Sequence, residues 1–358
     1  MKIKNCIICK KKISIFRVNL PVFEHQSLST TSLKTKLFKC LSCQMIFQDK
    51  KINYNFFKSK KYINENNDQK LLLENKKITT RSEILAKIIN RVIKDRRNLN
   101  ILEVGCGKGY LLNELAKMNK NSNLYGYDVG DYSKLSVFLK KKIFFLNKKK
   151  FNFKKNSLDI IVISHTLSYF LNPMNEIKKY KKLLKKDGFL LILAPNIQKN
   201  IFYTLMSDQK IMITEKNLQN LLSLSGFSNL LIKNKNLPRE IICFSKHSDK
   251  INFLLKKDDK TLENNLIKLN IIRRKILKIK SNNISILGTN VNSAFVDEIL
   301  DHKIRNFVSD FYHKNQIFRG KKVIGRNKLK KDEILINCIT RKNNFLITKT
   351  TAKIINIF

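Results

Sequence analysis

The sequence predicts an α/β protein. A doubly wound, Rossmann-like central domain is flanked by a small cysteine-rich N-terminal module and a second C-terminal α/β domain. Three observations carry this. Asn100–Val104 is a short apolar run that enters a glycine turn, Gly105-Cys-Gly-Lys-Gly109, and then a helix-spaced segment, Tyr110–Lys117. A second apolar run, Leu124-Tyr-Gly-Tyr-Asp128, ends in a carboxylate about twenty residues further on. Two C-x2-C pairs, Cys6/Cys9 and Cys40/Cys43, lie near the start of the chain. The expected boundaries are 1–60 for the cysteine module, 61–248 for the central domain and 249–358 for the C-terminal domain.

At 358 residues with 43% hydrophobic and 28% charged residues, the chain is long and apolar enough to bury a real core, which excludes a mini-protein or wholesale disorder. The net charge of +45 raises nucleic acid as a partner. Abundant Lys, Asn and Ile with only 10 Gly, 4 Pro and no Trp is also what an AT-rich genome imposes through codon usage. The basic residues are spread along the chain, with short runs at Lys140–Lys142 and Lys148–Lys150. A third set, Lys178 to Lys186, reads as the solvated face of a helix. Polar residues fill Met1–Lys12, where a secretory signal would be apolar, and runs such as Phe189–Ala194 fall short of the ~20 residues of a membrane span. A cytoplasmic location is expected, with cysteines as thiols or metal ligands and no membrane partner.

Each C-x2-C pair presents two thiolates from one tight turn, and two such turns give the tetrahedral sulfur set that Zn2+ prefers. Cys6, Cys9, Cys40 and Cys43 are the expected ligands. Four thiolates close the coordination sphere, so this zinc would be structural and would fold a module too small to stand on its own core. Redox dithiols are the competing reading, without the βαβ context of a thioredoxin. Cys106, Cys243 and Cys338 sit in apolar or glycine-rich surroundings and read as small buried residues.

The glycines of 105–109 let the backbone approach a ligand and open the helix N-terminus toward it. By spacing alone, a dinucleotide site and an S-adenosylmethionine (SAM) site are both open. The segment Glu103-Val-Gly-Cys-Gly-Lys-Gly109 resembles motif I of the class I SAM-dependent methyltransferases, with an acid two residues before the first glycine and G-x-G-x-G in place of G-x-G-x-x-G. The resemblance implies SAM as cofactor, held by Glu103, Gly105, Gly107, Gly109 and Asp128, with the ribose on Asp128. Downstream, Leu158–Ile163 reads as the fourth strand, and Asn172-Pro173 as the cap of a helix to about Lys186. Lys185-Lys-Asp-Gly188 looks like the family's turn before the fifth strand, Phe189–Ala194. Thr214 opens a further helix closed by Gly226, and strands near Phe227–Ile232 and Glu240–Phe244 complete the sheet.

Over the whole chain, the order of cysteine module, methyltransferase domain and C-terminal domain resembles the sugar C-methyltransferases, which act on deoxysugars carried on a nucleoside diphosphate. Ile284–Gly288, a short helix to Leu300, Phe307–Ser309 and the Asp310/Lys314 pair look like that family's C-terminal Rossmann-like domain. The family's H-E-H after the fifth strand is replaced by Ser207-Asp208-Gln209, and its E-H after the fourth by Ser168-Tyr169. Asp208, Tyr169, His165 and Tyr62 are the catalytic candidates that this resemblance leaves. The expected activity is methyl transfer to a small polar acceptor, the sugar of a nucleotide sugar. RNA methylation using the basic surface, or a degenerate SAM-fold binding subunit, are the alternatives.

Overall fold

The computed structural model describes residues 3–24, 28–49, 52–59, 68, 70–72, 78–93, 96–130, 132, 143–146, 151–248, 255, 257, 260–309, 313, 315–339 and 352–357. Tyr62, the lysine runs at 140–142 and 148–150, Asp310 and Lys314 lie outside them. The chain forms two compact units. One comprises Met1–Ile15, Phe38–Lys199 and Gln209–Asp259; the other comprises Phe16–Leu37, Asn200–Asp208 and Lys260–Phe358. Among the described residues, no helix is long and apolar enough to cross a membrane.

The first unit is built on a seven-stranded sheet. In chain order its elements are α1 (Arg81–Ile93), β1 (Asn100–Val104), α2 (Tyr110–Met118), β2 (Asn123–Tyr127), β3 (Ile143–Leu146), β4 (Leu158–Ser164), α3 (Pro173–Leu183), β5 (Leu184–Pro195), α4 (Glu215–Leu224), β6 (Phe227–Ile232) and β7 (Glu240–His247). The strand order is β3-β2-β1-β4-β5-β7-β6. The first five strands run parallel, and β7 is antiparallel to both of its neighbours.

Strands covered on both faces read as unbroken apolar runs, and successive residues serve opposite layers. Ile101, Ile160, Val162, Leu191 and Leu193 pack with Ile84, Leu85, Leu112 and Leu115 of α1 and α2. Leu102, Val104, Ile161, Ile163 and Ile192 pack with Ile177, Tyr180, Leu218 and Leu221 of α3 and α4. The helix starts are those the sequence signals. Asn172 accepts the Asn175 N–H with Pro173 in the first turn, and Thr214 forms a reciprocal capping box with Asn217. Helix α3 stops at Leu183 and not near Lys186, because Leu184 is fully buried in register with Leu158. The Lys185–Gly188 stretch, expected as a turn, belongs to β5.

The cysteine turns share the α3/α4 side of this core: Cys6, Cys40, Cys43, Met45 and Phe47 join the same apolar cluster as Leu218 and Leu222. Ile46–Gln48 pairs antiparallel with Ile211–Met212, and Asn220 on α4 donates to the Cys43 carbonyl at 3.1 Å.

The second unit carries α5 (Thr261–Leu277), β8 (Ile284–Leu287), α6 (Val291–Ile299), β9 (Asn306–Val308), β10 (Ile317–Phe318), β11 (Lys321–Ile324), β12 (Ile334–Asn337) and β13 (Lys353–Asn356). Its sheet runs β10-β11-β9-β8-β12-β13, parallel except for the β10/β11 pair. After β8, the chain turns at Gly288 into α6, whose N-terminal amides at Asn292 and Ser293 donate to the Asn290 side chain.

Candidate active site

Ligands of an open α/β sheet bind where the parallel strands end. At the end of β1, Gly105, Gly107 and Gly109 all have positive φ, and the Gly105 and Cys106 amides donate to the Tyr127 carbonyl. Any Cβ on Gly105 would collide with the Thr166 hydroxyl, so the turn leaves a backbone cradle that only glycine permits. The Asp128 carboxylate closes this cradle. One oxygen accepts the Gly107 N–H at 2.9 Å and the other the Gly130 N–H at 2.9 Å, which orients the carboxylate at the mouth of the turn. Burial raises the Asp128 pKa, and the amides of Gly130, Gly107 and Val129 pull it back.

Glu103 lies on β1 directly before the turn and is only 4% exposed. Its Oε2 has no hydrogen-bond partner among the described residues. Burial, then the nearby Asp128 and Asp68 charges, push its carboxyl well above the usual range. A buried orphan carboxylate oxygen beside a glycine cradle fits the amino group of an amino-acid ligand, and a ribose fits Asp128. The cradle therefore suits SAM on the chemistry of its donors.

The four N-terminal cysteines are brought together as well. The Cys6, Cys9, Cys40 and Cys43 sulfurs all lie within 4.8 Å of one another, with Cys6–Cys43 at 3.6 Å and Cys9–Cys40 at 3.4 Å. Four Zn–S bonds of ~2.3 Å in a tetrahedron place sulfurs ~3.8 Å apart, so the set can close on zinc. Amides of Ile8, Ser42 and Cys43 point at the Cys6 and Cys40 sulfurs from 3.3 to 3.4 Å, which favours thiolates. Hydrogen bonds from Cys43 and then Cys6 pull the Cys40 thiol down, and their contacts with Cys40 push the Cys43 and Cys6 thiols up, so without a cation the cluster concentrates its ionisation on Cys40. Cys106, Cys243 and Cys338 are buried.

The acceptor-side candidates are dispersed. His165 follows β4 in the left-handed region, with φ of 53°, and its amide donates to Leu193 O at 2.8 Å. Tyr169 sits one short turn later, where its carbonyl accepts the Tyr54 hydroxyl at 2.7 Å and its ring meets Phe57 edge-on at 5.1 Å. Asp208 belongs to the second unit, in the 200–208 segment where the Ser207 amide donates to the Phe23 carbonyl. Residues that sequence reasoning did not single out are Glu240, Arg81, Thr166 and Tyr54.

Residues 78–232 match a family model described as a methyltransferase domain. That span contains the glycine turn, Asp128 and the sheet from β1 through β6. Residues 78–232 are a methyltransferase domain. A similar curated protein is a tRNA (guanine-N(7)-)-methyltransferase of Mycoplasma capricolum, 32% identical over 123 residues, covering 31% of this chain and 56% of the relative. The chain thus spans just over half the length of that relative. Among solved structures, the CurJ carbon methyltransferase is similar at 12% identity with a TM-score of 0.40, covering 47% of this chain and 54% of that one. A SAM-dependent methyltransferase of Aquifex aeolicus is similar at 17% identity with a TM-score of 0.36, covering 45% of this chain and 87% of that one. In the methyltransferase domain, the β3-β2-β1-β4-β5-β7-β6 order puts the cradle, Asp128 and His165 at the same carboxyl edge of the sheet.

Proposed function

We propose that this methyltransferase methylates a carbon of the sugar in a nucleotide sugar. The observation that carries the reading is the combination in one chain of a closed four-sulfur cluster, the methyltransferase sheet and a second, largely parallel α/β sheet. That is the three-part organisation of the sugar C-methyltransferases that the sequence resembles. In this reading Glu103, Gly105, Gly107, Gly109 and Asp128 hold SAM, and Cys6, Cys9, Cys40 and Cys43 hold one structural zinc. The bound SAM supplies an electrophilic methyl; the chain's own residues position the acceptor in line with it and take the proton that a carbon beside a carbonyl must lose. His165, Tyr169, Asp208 and Tyr62 are the candidates on that side.

A second reading, methyl transfer to RNA, is favoured by the net charge of +45 and by the tRNA-modifying relative. Methyl-labelled SAM offered with a panel of nucleoside diphosphate keto-deoxysugars, and in parallel with bulk tRNA, separates the two. Label in the sugar supports the first reading. Label in tRNA, with affinity falling steeply as salt rises, supports the second. SAM binding with no transfer to either leaves a non-catalytic subunit.

A further inference from the structure

Residues 140–155 hold eight lysines, four phenylalanines and no acid. Methyl transfer as argued above gives them no role. Lysine interleaved with aromatic side chains is the composition of a surface that grips a single-stranded nucleic acid, with cations along the phosphates and rings against the bases. Composition alone fits a solvated loop equally well, so the arrangement of the rings has to distinguish the two.

On β2, Tyr125 and Tyr127 are two residues apart and share one face, the α3 side, while Leu124 packs on the opposite face with α1 and α2. Among the described residues, β3 is the outermost strand at this end of the sheet, and it pairs Phe144 with Tyr125 and Leu146 with Tyr127. The stretch after β3 brings Phe151 and Phe153 back over the same face. The outcome is one unbroken row of five rings. Phe144 stacks on Tyr125 with centroids 5.4 Å apart and planes at 25°. Tyr125 meets Phe153 edge-on at 5.1 Å, Phe153 meets Phe151 at 5.5 Å, and Phe151 meets Tyr127 at 4.8 Å. Phe145, the remaining phenylalanine, packs on the other face.

The row is not a sealed core. Its outer member, Phe144, is 49% exposed, and the other four rings are half-buried. A ring stacked by one face keeps the other for a planar partner. Cations frame the row: Lys179 of α3 places its Nζ 4.5 Å from the Phe151 centroid, and Lys154 and Lys155 follow Phe153 directly and are exposed. Glu176, one turn back on α3, approaches the Lys179 Nζ only to 4.0 Å. The other end of the row adjoins the glycine turn, since the Tyr127 carbonyl accepts the Gly105 and Cys106 amides and Asp128 is the next residue. A strand lying along the rings is thus led to the rim of the cradle.

We infer that this row is a docking surface for single-stranded RNA, with bases stacked on Phe144 and its neighbours and phosphates following Lys154, Lys155 and Lys179. The choice of RNA over DNA rests on the second reading above, methyl transfer to RNA; the surface itself rests on the rings and the charge. Stacking supplies affinity that salt leaves alone, and phosphate contacts supply affinity that salt removes, so the two halves of the surface have separable signatures. A second copy of this chain fits the row less well, because two such lysine-rich edges brought together would repel.

Anisotropy of a fluorescent single-stranded oligouridylate with the full chain, recorded without SAM, tests the surface apart from any transfer. Phe144→Ala, its fold checked by circular dichroism, should weaken binding roughly 5- to 150-fold, the value of one stacked base, and keep the native slope of affinity against salt. Phe144→Leu should lose as much, because it keeps apolar area without a π face, and Phe144→Tyr should bind as the native chain does. Replacing Lys154, Lys155 and Lys179 together by Gln should lower the salt slope by about 2, at ~0.7 for each phosphate contact. The same three-charge loss around α5, at the exposed Lys268, Lys275 and Lys278, should cost much less. Native affinity in Phe144→Ala and Phe144→Leu overturns the inference. An equal loss from the α5 lysines also overturns it, by showing that the net charge of +45 alone holds RNA. So does a chain that binds no oligouridylate and sediments as a dimer that Phe144→Ala dissociates. Tighter binding of the matching DNA oligomer overturns the choice of RNA. Oligouridylate held through Phe144 by a chain that transfers no methyl to tRNA supports the surface and overturns RNA as the acceptor. Native-rate label in tRNA from the Phe144 and lysine variants does the reverse.

Discussion

Replacing Glu103 by glutamine should make the ligand-free protein more stable and its cofactor site weaker. Glu103 is 4% exposed with one carboxylate oxygen unpartnered among the described residues, and burial raises its pKa well above the unfolded value. Between those two values the folded chain binds more protons than the unfolded one, so stability falls as pH rises from about 4.3 toward the folded value. Glu103→Gln keeps the shape and removes the ionisation. Its melting temperature should therefore lie above that of the native protein at neutral pH, and its stability should lose that decline. In the proposed site the ammonium group of SAM would meet this carboxylate, which must ionise to receive it. Binding should then release a proton, and the apparent heat should change between buffers of different ionisation enthalpy. The charge-assisted hydrogen bond lost in the amide is worth about 1.5–3 kcal/mol, or roughly 10- to 150-fold in affinity. Calorimetry in phosphate and in Tris, together with thermal unfolding from pH 5 to 8, reads all three effects. Native SAM affinity in Glu103→Gln, with a native pH dependence of stability, would refute the assignment of the orphan oxygen to the ligand.

Asp128→Ala removes the acceptor for the Gly107 and Gly130 amides as well as the ribose partner, so SAM affinity should fall by at least ~10-fold while the sheet still folds; calorimetry paired with circular dichroism checks both. Elemental analysis should find about one zinc per chain. Cys40→Ser should lower that content and release the turns from the core they share with α4, seen as a drop in melting temperature. In the second unit, Arg319 is 6% exposed and pairs with Asp297 at 2.7 Å and with Glu298 at 2.5 Å, Asp297 being fully buried. Arg319→Met leaves the buried Asp297 carboxylate without its guanidinium, with His302 as its remaining side-chain partner among the described residues, and should cost about 3–5 kcal/mol in denaturant unfolding.

What local chemistry controls was legible in the sequence. The strand, glycine turn and helix at 100–118 follow from apolar periodicity and from three glycines that adopt positive φ. The starts of α3 and α4 follow from Asn172-Pro173 and from Thr214 with Asn217. The end of α3 was not legible, because two forces compete at Leu184. Helical spacing continues the Lys178–Lys182 face through it, whereas the sheet offers complete burial beside Leu158. The tertiary gain prevails, and Gly188 marks the result: a Cβ there would meet the Asp159 and Lys185 carbonyls at 3.0 Å, a close backbone approach that suits an irregular strand entry.

The contact between His165 and Glu240 was illegible for a different reason. A glycine cradle is one continuous stretch of chain, so its spacing survives in the sequence. Side chains from distant strand ends meet only through topology. Glu240 lies 75 positions after His165, and nothing in Pro238-Arg239-Glu240 marks it as more than the start of a strand. Only the antiparallel insertion of β7 between β5 and β6 carries its first residue to the edge where β4 finishes. A search of the chain for a histidine beside an acid, the arrangement of the sugar C-methyltransferases, therefore passes over this pair. The consequence can be checked by neutralising the acid. Glu240 lies 3.0 Å from Arg81 and 3.4 Å from His165, and despite its burial these contacts hold its carboxyl down at about 2. Its charge therefore contributes stability above the unfolded value of about 4.3, and that contribution is lost as pH falls toward 2. Glu240→Gln should melt below the native protein at neutral pH, and the deficit should shrink as both are acidified from about pH 5 toward 2. An equal melting temperature at neutral pH would show that the contact at the sheet edge adds nothing to the fold.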